Sequence, residues 1–289
     1  MEKKLKKISK RVNFYLNNYL RKYDSKELIP PMKYGLFPGG KKIRSKIIFD
    51  VGTIFKVKKT TLLIVAASVE AIHAYSLIHD DLPCMDDDKL RRGKPSTHIK
   101  FGESTAILAG NSLLTTAFEI LSDKNFKVDD KTKSKLINFL SRCSGLIGIA
   151  GGQYLDLSYE KKKVSFKKIL NMELKKTGKL FEFCCVAPLI IKKNKKNFNS
   201  FAKIGKEIGL LFQIVDDLID FKGKTKIAGK KTKKDIKQGK ATIISLLGYE
   251  NAVKYAEKLK QNIYKKLRSH KNNADDLKET IDFIMERKK

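Results

Sequence analysis

The sequence predicts an all-α protein, a single domain over residues 1–289. Three observations carry that expectation. Apolar residues recur at intervals of three and four along most of the chain, the period of a helix with one buried face. No alternating apolar and polar run marks a strand. Only six prolines occur, and no linker or low-complexity tract separates the segments beyond a bias to lysine.

The elements follow in order. Leu5, Ile8, Val12, Leu16, Tyr19 and Leu20 give a first helix over 5–22. Pro30, Pro31 and Pro38 mark the loop after it. A long apolar helix is expected over 60–81 and runs into an acidic stretch that Pro83 and Pro95 bracket. Further helices are expected over 103–121, 133–150, 166–191, 198–221, 241–267 and 275–286.

Composition bounds the function. The first twenty residues are charged throughout and show no leader-like apolar core. Apolar runs such as 62–69 and 184–191 are far short of the ~20 residues of a membrane span. A soluble, cytoplasmic protein without stable membrane insertion is expected. Cys84, Cys143, Cys184 and Cys185 have no paired spacing and read as reduced, packed thiols. The net charge of +31 suggests nucleic acid or an anionic membrane, and MEKKLKKISKRV has the look of a bilayer-surface segment. Yet the lysines lie from end to end with no single stripe, and no nucleic-acid motif accompanies them. They read as a coat on solvated faces, and no nucleic-acid partner is expected.

Two acidic clusters stand out against that basic background. In LIHDDLPCMDDDKLRRG five carboxylates occupy nine positions: Asp80, Asp81, Asp86, Asp87 and Asp88. In FQIVDDLID, Asp216 and Asp220 are four apart and share a helix face, with Asp217 beside them. Carboxylates this dense repel one another and call for a cation the chain does not encode. Oxygen-only ligands suit a hard ion, Mg²⁺ above all, which commonly shares its shell with substrate phosphates. A helix bulged at Pro83 would aim Asp80 and Asp86 at one point, while Asp87 and Asp88 read as solvated. Of 62 basic residues only eight are Arg, and Arg91 and Arg92 stand beside the first cluster, with Arg44 in GGKKIRSK. Arg offers phosphate a planar two-pronged fork that Lys cannot copy.

These motifs together resemble the trans-polyprenyl diphosphate synthases, closest to the bacterial farnesyl diphosphate synthase branch, over roughly residues 30–250. GGKKIRS, HAYSLIHDDLPCMDDDKLRRGKPSTH, GGQYLDL, KKTGKLF, GLLFQIVDDLIDFKG and GKKTKKDIKQGKATI come in the family's order. The resemblance implies a homodimer of long-helix bundles, each around a central cavity. It implies Mg²⁺-assisted ionisation of an allylic diphosphate and attack by isopentenyl diphosphate, with three ions once the diphosphate is bound. Carried over by position, Asp80, Asp86, Asp81, Asp216, Asp217 and Asp220 are the metal ligands. Lys41, Arg44, His73 and Arg92 hold isopentenyl diphosphate. Arg91, Lys176 and Lys230, with Lys240 as a further candidate, hold the allylic diphosphate. Thr177 and Gln213 stand near the developing cation, while Tyr154 and Tyr159 read as packing. Tyr75, five residues before Asp80, implies a floor that stops growth at fifteen carbons. A geranylgeranyl or mixed short-chain synthase would differ in that floor. A terpene cyclase would carry an Asn/Ser/Glu second motif in place of DDLID. Three positions depart from the family pattern: Lys42 for Arg, Ser45 for Pro and Lys224 for Asp. Lys42 keeps charge but loses the fork, which predicts weaker isopentenyl diphosphate binding.

Overall fold

The computed structural model describes residues 1–160, 162–228 and 243–287, and the side chains of all of these except 223–228. In chain order the helices are α1 (Glu2–Leu20), α2 (Ile29–Leu36), α3 (Ile43–Ile54), α4 (Lys59–Asp80), α5 (Thr97–Phe101), α6 (Glu103–Ser122) and α7 (Asp130–Ser144). They continue as α8 (Ile149–Tyr159), α9 (Phe166–Glu173), a π-helical turn (Leu174–Gly178), α10 (Lys179–Ile191) and α11 (Phe198–Ala228). The last are α12 (Ile243–Leu247), α13 (Tyr249–Leu267), a 3-10 stretch (Arg268–Ala274) and α14 (Asp275–Glu286). The all-α expectation holds, and α14 has the expected bounds.

The differences have local causes. Pro30 and Pro31 do not mark a loop; they sit in the first turn of α2, where a missing N–H costs nothing. The helix expected over 133–150 stops at Ser144 and restarts at Ile149. Gly148 there turns so tightly that a Cβ would lie 1.8 Å from the Cys143 carbonyl oxygen. The helix expected over 241–267 divides at Gly248, whose φ of +74° no helix accepts. One ribbon was not expected: β1 (Leu90–Arg91) pairs antiparallel with β2 (Lys94–Pro95). Its two-residue turn, Arg92 (φ +54°) and Gly93 (φ +76°), is left-handed at both positions, as a tight hairpin requires.

Contacts group the chain into two compact units: 1–138 with 187–194, and 139–186 with 195–289. In the first unit α4 is the central element. Leu62, Val65, Ala66, Ala67, Val69, Ala71 and Ile72 are all at most 1% exposed. Contrary to the sequence reading, α4 is long and apolar enough to cross a membrane, but 72% of its most apolar window is buried in the fold. Small residues let its neighbours approach: a Cβ on Gly52 would strike Leu62, and one on Gly110 the His79 ring. α1 buries Leu5, Val12, Leu16, Tyr19 and Leu20 inside the fold, so its apolar face is occupied rather than offered to a bilayer. Cys84 is exposed, so only three of the four thiols are packed.

In the second unit α11 lies against the π-helical turn. A Cβ on Gly209 would come 2.6 Å from Gly178 Cα, and one on Gly205 the same distance from Glu182 Cα. Gln213 follows Gly209 by four residues, on the same face. The glycine contact therefore sets Gln213 beside Thr177, the neighbour of Gly178.

Candidate active site

The first acidic motif forms at the C-terminal end of α4. The helix ends at Asp80 rather than bulging through Pro83. The chain folds back so that the Asp86 N–H donates to the Asp80 carbonyl at 2.9 Å, which brings Asp80 and Asp86 to one helix end. Carboxylates at a helix C-terminus face the negative pole of the dipole, so this end favours a cation.

Asp81, named with them as a metal ligand, is buried and paired with Arg91. It is 2% exposed, and its oxygens take hydrogen bonds from Arg91 Nε at 2.9 and 3.2 Å and a close one from Arg91 Nη2. Burial pushes the Asp81 carboxyl up, and the Arg91 bonds oppose it. Arg91 Nη2 also reaches Asp88 at 3.1 Å, so Asp88 is paired rather than merely solvated. Arg91 thus serves as a brace for the motif in this structure. Arg92 lies at the ribbon turn under Gly40, where a Cβ would meet its Nη1 at 2.1 Å.

Arg44 Nη1 lies 3.2 Å from His73 Nε2. Arg is always a donor, so His73 accepts through Nε2. Burial first, then Arg44, Lys42, Arg92 and Arg91, hold His73 well below its usual value, and the ring is neutral at pH 7. It orients Arg44 rather than adding charge. Lys41 is exposed, three residues before Arg44. Tyr75 is 8% exposed on α4 and meets the His79 ring edge to face at 5.6 Å. His79 Nε2 in turn sits 3.1 Å from the Ile107 carbonyl.

The second unit joins three predicted residues in one relay. Thr177 Oγ1 donates to Gln213 Oε1 at 3.2 Å, and Gln213 Nε2 donates to Asp217 Oδ1 at 3.0 Å. The π-helical turn that carries Lys176 and Thr177 is a form common at functional sites. Lys176 Nζ contacts Asp156 Oδ2 at 2.6 Å. Asp216 contacts Arg287 at 2.8 Å, and Arg287 Cζ lies over the Phe212 ring, 3.7 Å from its centroid. Asp217 Oδ2 is buried without a hydrogen-bond partner. Burial raises its carboxyl to about 7, with Gln213 opposing and Asp216, Asp220 and Asp156 adding. Glu173 is 5% exposed, its Oε2 has no partner, and burial plus Asp217 and Asp156 raise it to about 8.

Among the described residues no three acidic, His or Cys groups stand in ready metal-holding geometry. The donor set is nonetheless all oxygen, and the buried Asp217 Oδ2 lacks a partner, so the residues fit a hard cation. Lys230 and Lys240 lie outside the described residues, as does the side chain of Lys224. Tyr154, read as packing, is 72% exposed. Sequence reasoning missed Glu70, Asp156, Glu173 and Arg287. The scarcity of arginine that exposed Arg91 and Arg92 was also the signal for Arg287.

The family model described as polyprenyl synthetase matches residues 25–284, and the chain belongs to that family. It is 40% identical to the farnesyl diphosphate synthase of Escherichia coli (strain K12), over 92% of this chain and 91% of that one. It is 35% identical to a geranylgeranyl diphosphate synthase of Cyanophora paradoxa, over 95% and 97%. The solved apo structure of an FPP/GFPP synthase from Zymomonas mobilis superposes with a TM-score of 0.86 at 34% identity, covering 99% of this chain and 100% of that one.

Proposed function

We propose that the protein is a farnesyl diphosphate synthase that joins isopentenyl diphosphate to dimethylallyl or geranyl diphosphate. The observation that carries this reading is the Thr177–Gln213–Asp217 relay, in a chain that also holds Asp80 and Asp86 at one helix end. The relatives favour the fifteen-carbon product over the twenty-carbon one, since the Escherichia coli farnesyl synthase matches at 40% identity and the Cyanophora paradoxa geranylgeranyl synthase at 35%.

In this reading Asp80, Asp81 and Asp86 in the first unit, and Asp216, Asp217 and Asp220 in the second, would hold Mg²⁺, with three ions once diphosphate is bound. The metal would supply positive charge against the diphosphate as it departs. The allylic C–O bond breaks and releases diphosphate with the bonding pair, the isopentenyl double bond supplies the electrons of the new C–C bond, and the cationic adduct gives up a proton to the released diphosphate. Lys176, kept in place by Asp156, meets the departing allylic diphosphate, with Lys230 as a further cation. Thr177 and Gln213 turn oxygens toward the developing positive charge, a fixed polar arrangement that needs no reorganisation during reaction. Arg44, oriented by His73, binds isopentenyl diphosphate together with Lys41 and Arg92. Arg91, held by Asp81 and Asp88, meets the allylic diphosphate together with Lys176. The protein works as a cytoplasmic homodimer in this reading, and exposed Ile107 and Leu108 on α6 supply apolar surface for a partner.

The test is product formation from isopentenyl and geranyl diphosphates with Mg²⁺. Asp80→Asn and Asp216→Asn should each lower kcat at least ~100-fold, about 2.7 kcal/mol of barrier. Turnover that persists in chelator, or in both variants, would refute the reading.

A further inference from the structure

Glu70 belongs to none of the motifs above, yet it is 3% exposed on α4 and still ionised in character. Burial pushes its carboxyl up, but Lys42, Ser45 and Arg44 outweigh that and hold it below the usual carboxylate value. Both its oxygens are taken by the loop that departs from the family pattern. Lys42 Nζ lies 3.2 Å from Oε2, and Ser45 Oγ donates to Oε1 at 2.6 Å. The Lys42 side chain is only 9% exposed, and its Nζ also donates to the Leu36 carbonyl at 3.3 Å. Lys42 itself sits at φ +50°, a left-handed conformation that a non-glycine residue holds only when its surroundings fix it. Ser45 is fully buried in the first turn of α3.

Three residues beyond Glu70 on α4 stands His73, which takes Arg44 Nη1 at 3.2 Å. The start of α3 is therefore pinned to α4 at Lys42, Arg44 and Ser45. The charge of Lys42 is directed inward and is not available to a substrate. Gly40, two residues before it, lies flush on the Arg92 guanidinium.

We propose that Glu70 is a positioning residue for isopentenyl diphosphate, acting through Lys42 and Ser45 to fix Arg44, Lys41 and Arg92. Lys42 and Ser45 are then a matched pair around one carboxylate, not two independent losses of substrate contact. This inference rests on the proposed isopentenyl diphosphate pocket. It reverses the expectation that Lys42 weakens the site by lacking the Arg fork.

The test is a double-mutant cycle on isopentenyl diphosphate binding, read both as KM and as a calorimetric Kd. Glu70→Gln keeps the shape and removes the charge. It should raise KM and Kd for isopentenyl diphosphate about 10-fold, with KM for geranyl diphosphate unchanged and kcat within about 3-fold. Lys42→Met should do the same, and the double variant should lose about 10-fold rather than about 100-fold, because the two act as a unit. Ser45→Ala, which removes one hydrogen bond, should raise KM about 3-fold and guards against a Glu70 variant that fails to fold. Additive losses, or equal effects on the two substrates' KM values, would overturn the proposal. A wild-type protein that binds isopentenyl diphosphate but forms no product would refute the reaction alone. The Kd cycle would then still support the role of Glu70 through non-additive losses, or overturn it through additive ones.

Discussion

Glu173 gives a prediction with a sign and a size. Its carboxyl is 5% exposed, and burial with Asp217 and Asp156 nearby raises it from 4.5 to about 8. Between these two values the folded protein keeps a proton that the unfolded chain has released. Stability contributed by the protonated group is complete below the unfolded value and is lost as pH rises toward the folded one. Each pH unit inside the window removes about 1.4 kcal/mol. Raising pH from about 5 to about 7.5 should therefore cost the metal-free fold on the order of 3 kcal/mol from this group alone. Asp217, raised from 3.8 to about 7, adds a slope of the same sign over a lower range. Glu173→Gln removes the first contribution and keeps the second. The assay is urea unfolding followed by circular dichroism in chelator at several pH values from 5 to 8. We predict that wild type weakens steeply with rising pH and that the variant weakens less, the two curves separating most above about pH 7. Parallel curves, or a wild type that gains stability toward pH 8, would refute the argument that Glu173 is buried with its proton.

Other changes follow from packing and charge. Lys46 and Asp50 form an ion pair one turn apart in α3, at 3% side-chain exposure each. Lys46→Met should cost about 3–5 kcal/mol by removing an ammonium that pairs with the buried Asp50, and Lys46→Met with Asp50→Leu should regain most of it; thermal unfolding of both variants decides. A Cβ on Gly152 would lie 2.2 Å from the Lys176 nitrogen and 2.5 Å from its Cα, backbone atoms that move only if the π-helical turn unwinds. Gly152→Ala should then lower kcat more than about 10-fold and reduce stability by about 1–3 kcal/mol, and full activity would show that the turn tolerates displacement. Tyr75→Ala should shift the products to longer chains, and an unchanged product ladder would remove Tyr75 as the floor.

Helices with a sustained apolar stripe were legible, because burial of one face is written into a period of three and four. α1 and α14 show this, down to the buried Leu5, Val12 and Leu16, whereas α4 is buried nearly all round and was legible from its length of apolar sequence. The breaks at Gly148 and Gly248 were not, since apolar residues resume in register after them and only the backbone angles differ. The ribbon at 90–95 escaped because two-residue strands carry no period. Within the site, the named Thr177, Gln213 and Asp217 do meet, and Asp80 and Asp86 do share a helix end. What stayed hidden was who holds whom. Asp81 has the position of a ligand, but Arg91 grips it. Glu70 has the position of an ordinary residue on an apolar helix, and Lys42 that of a defect, yet each faces the other. Such pairings join residues far apart in sequence, and neither residue type nor spacing encodes them.

The most direct test of the account is the carbon number of the product. Purified protein with Mg²⁺, isopentenyl diphosphate and geranyl diphosphate should yield a fifteen-carbon diphosphate as the dominant product, and chelator should abolish it. No elongated product from geranyl or dimethylallyl diphosphate, in a folded protein, would contradict the account.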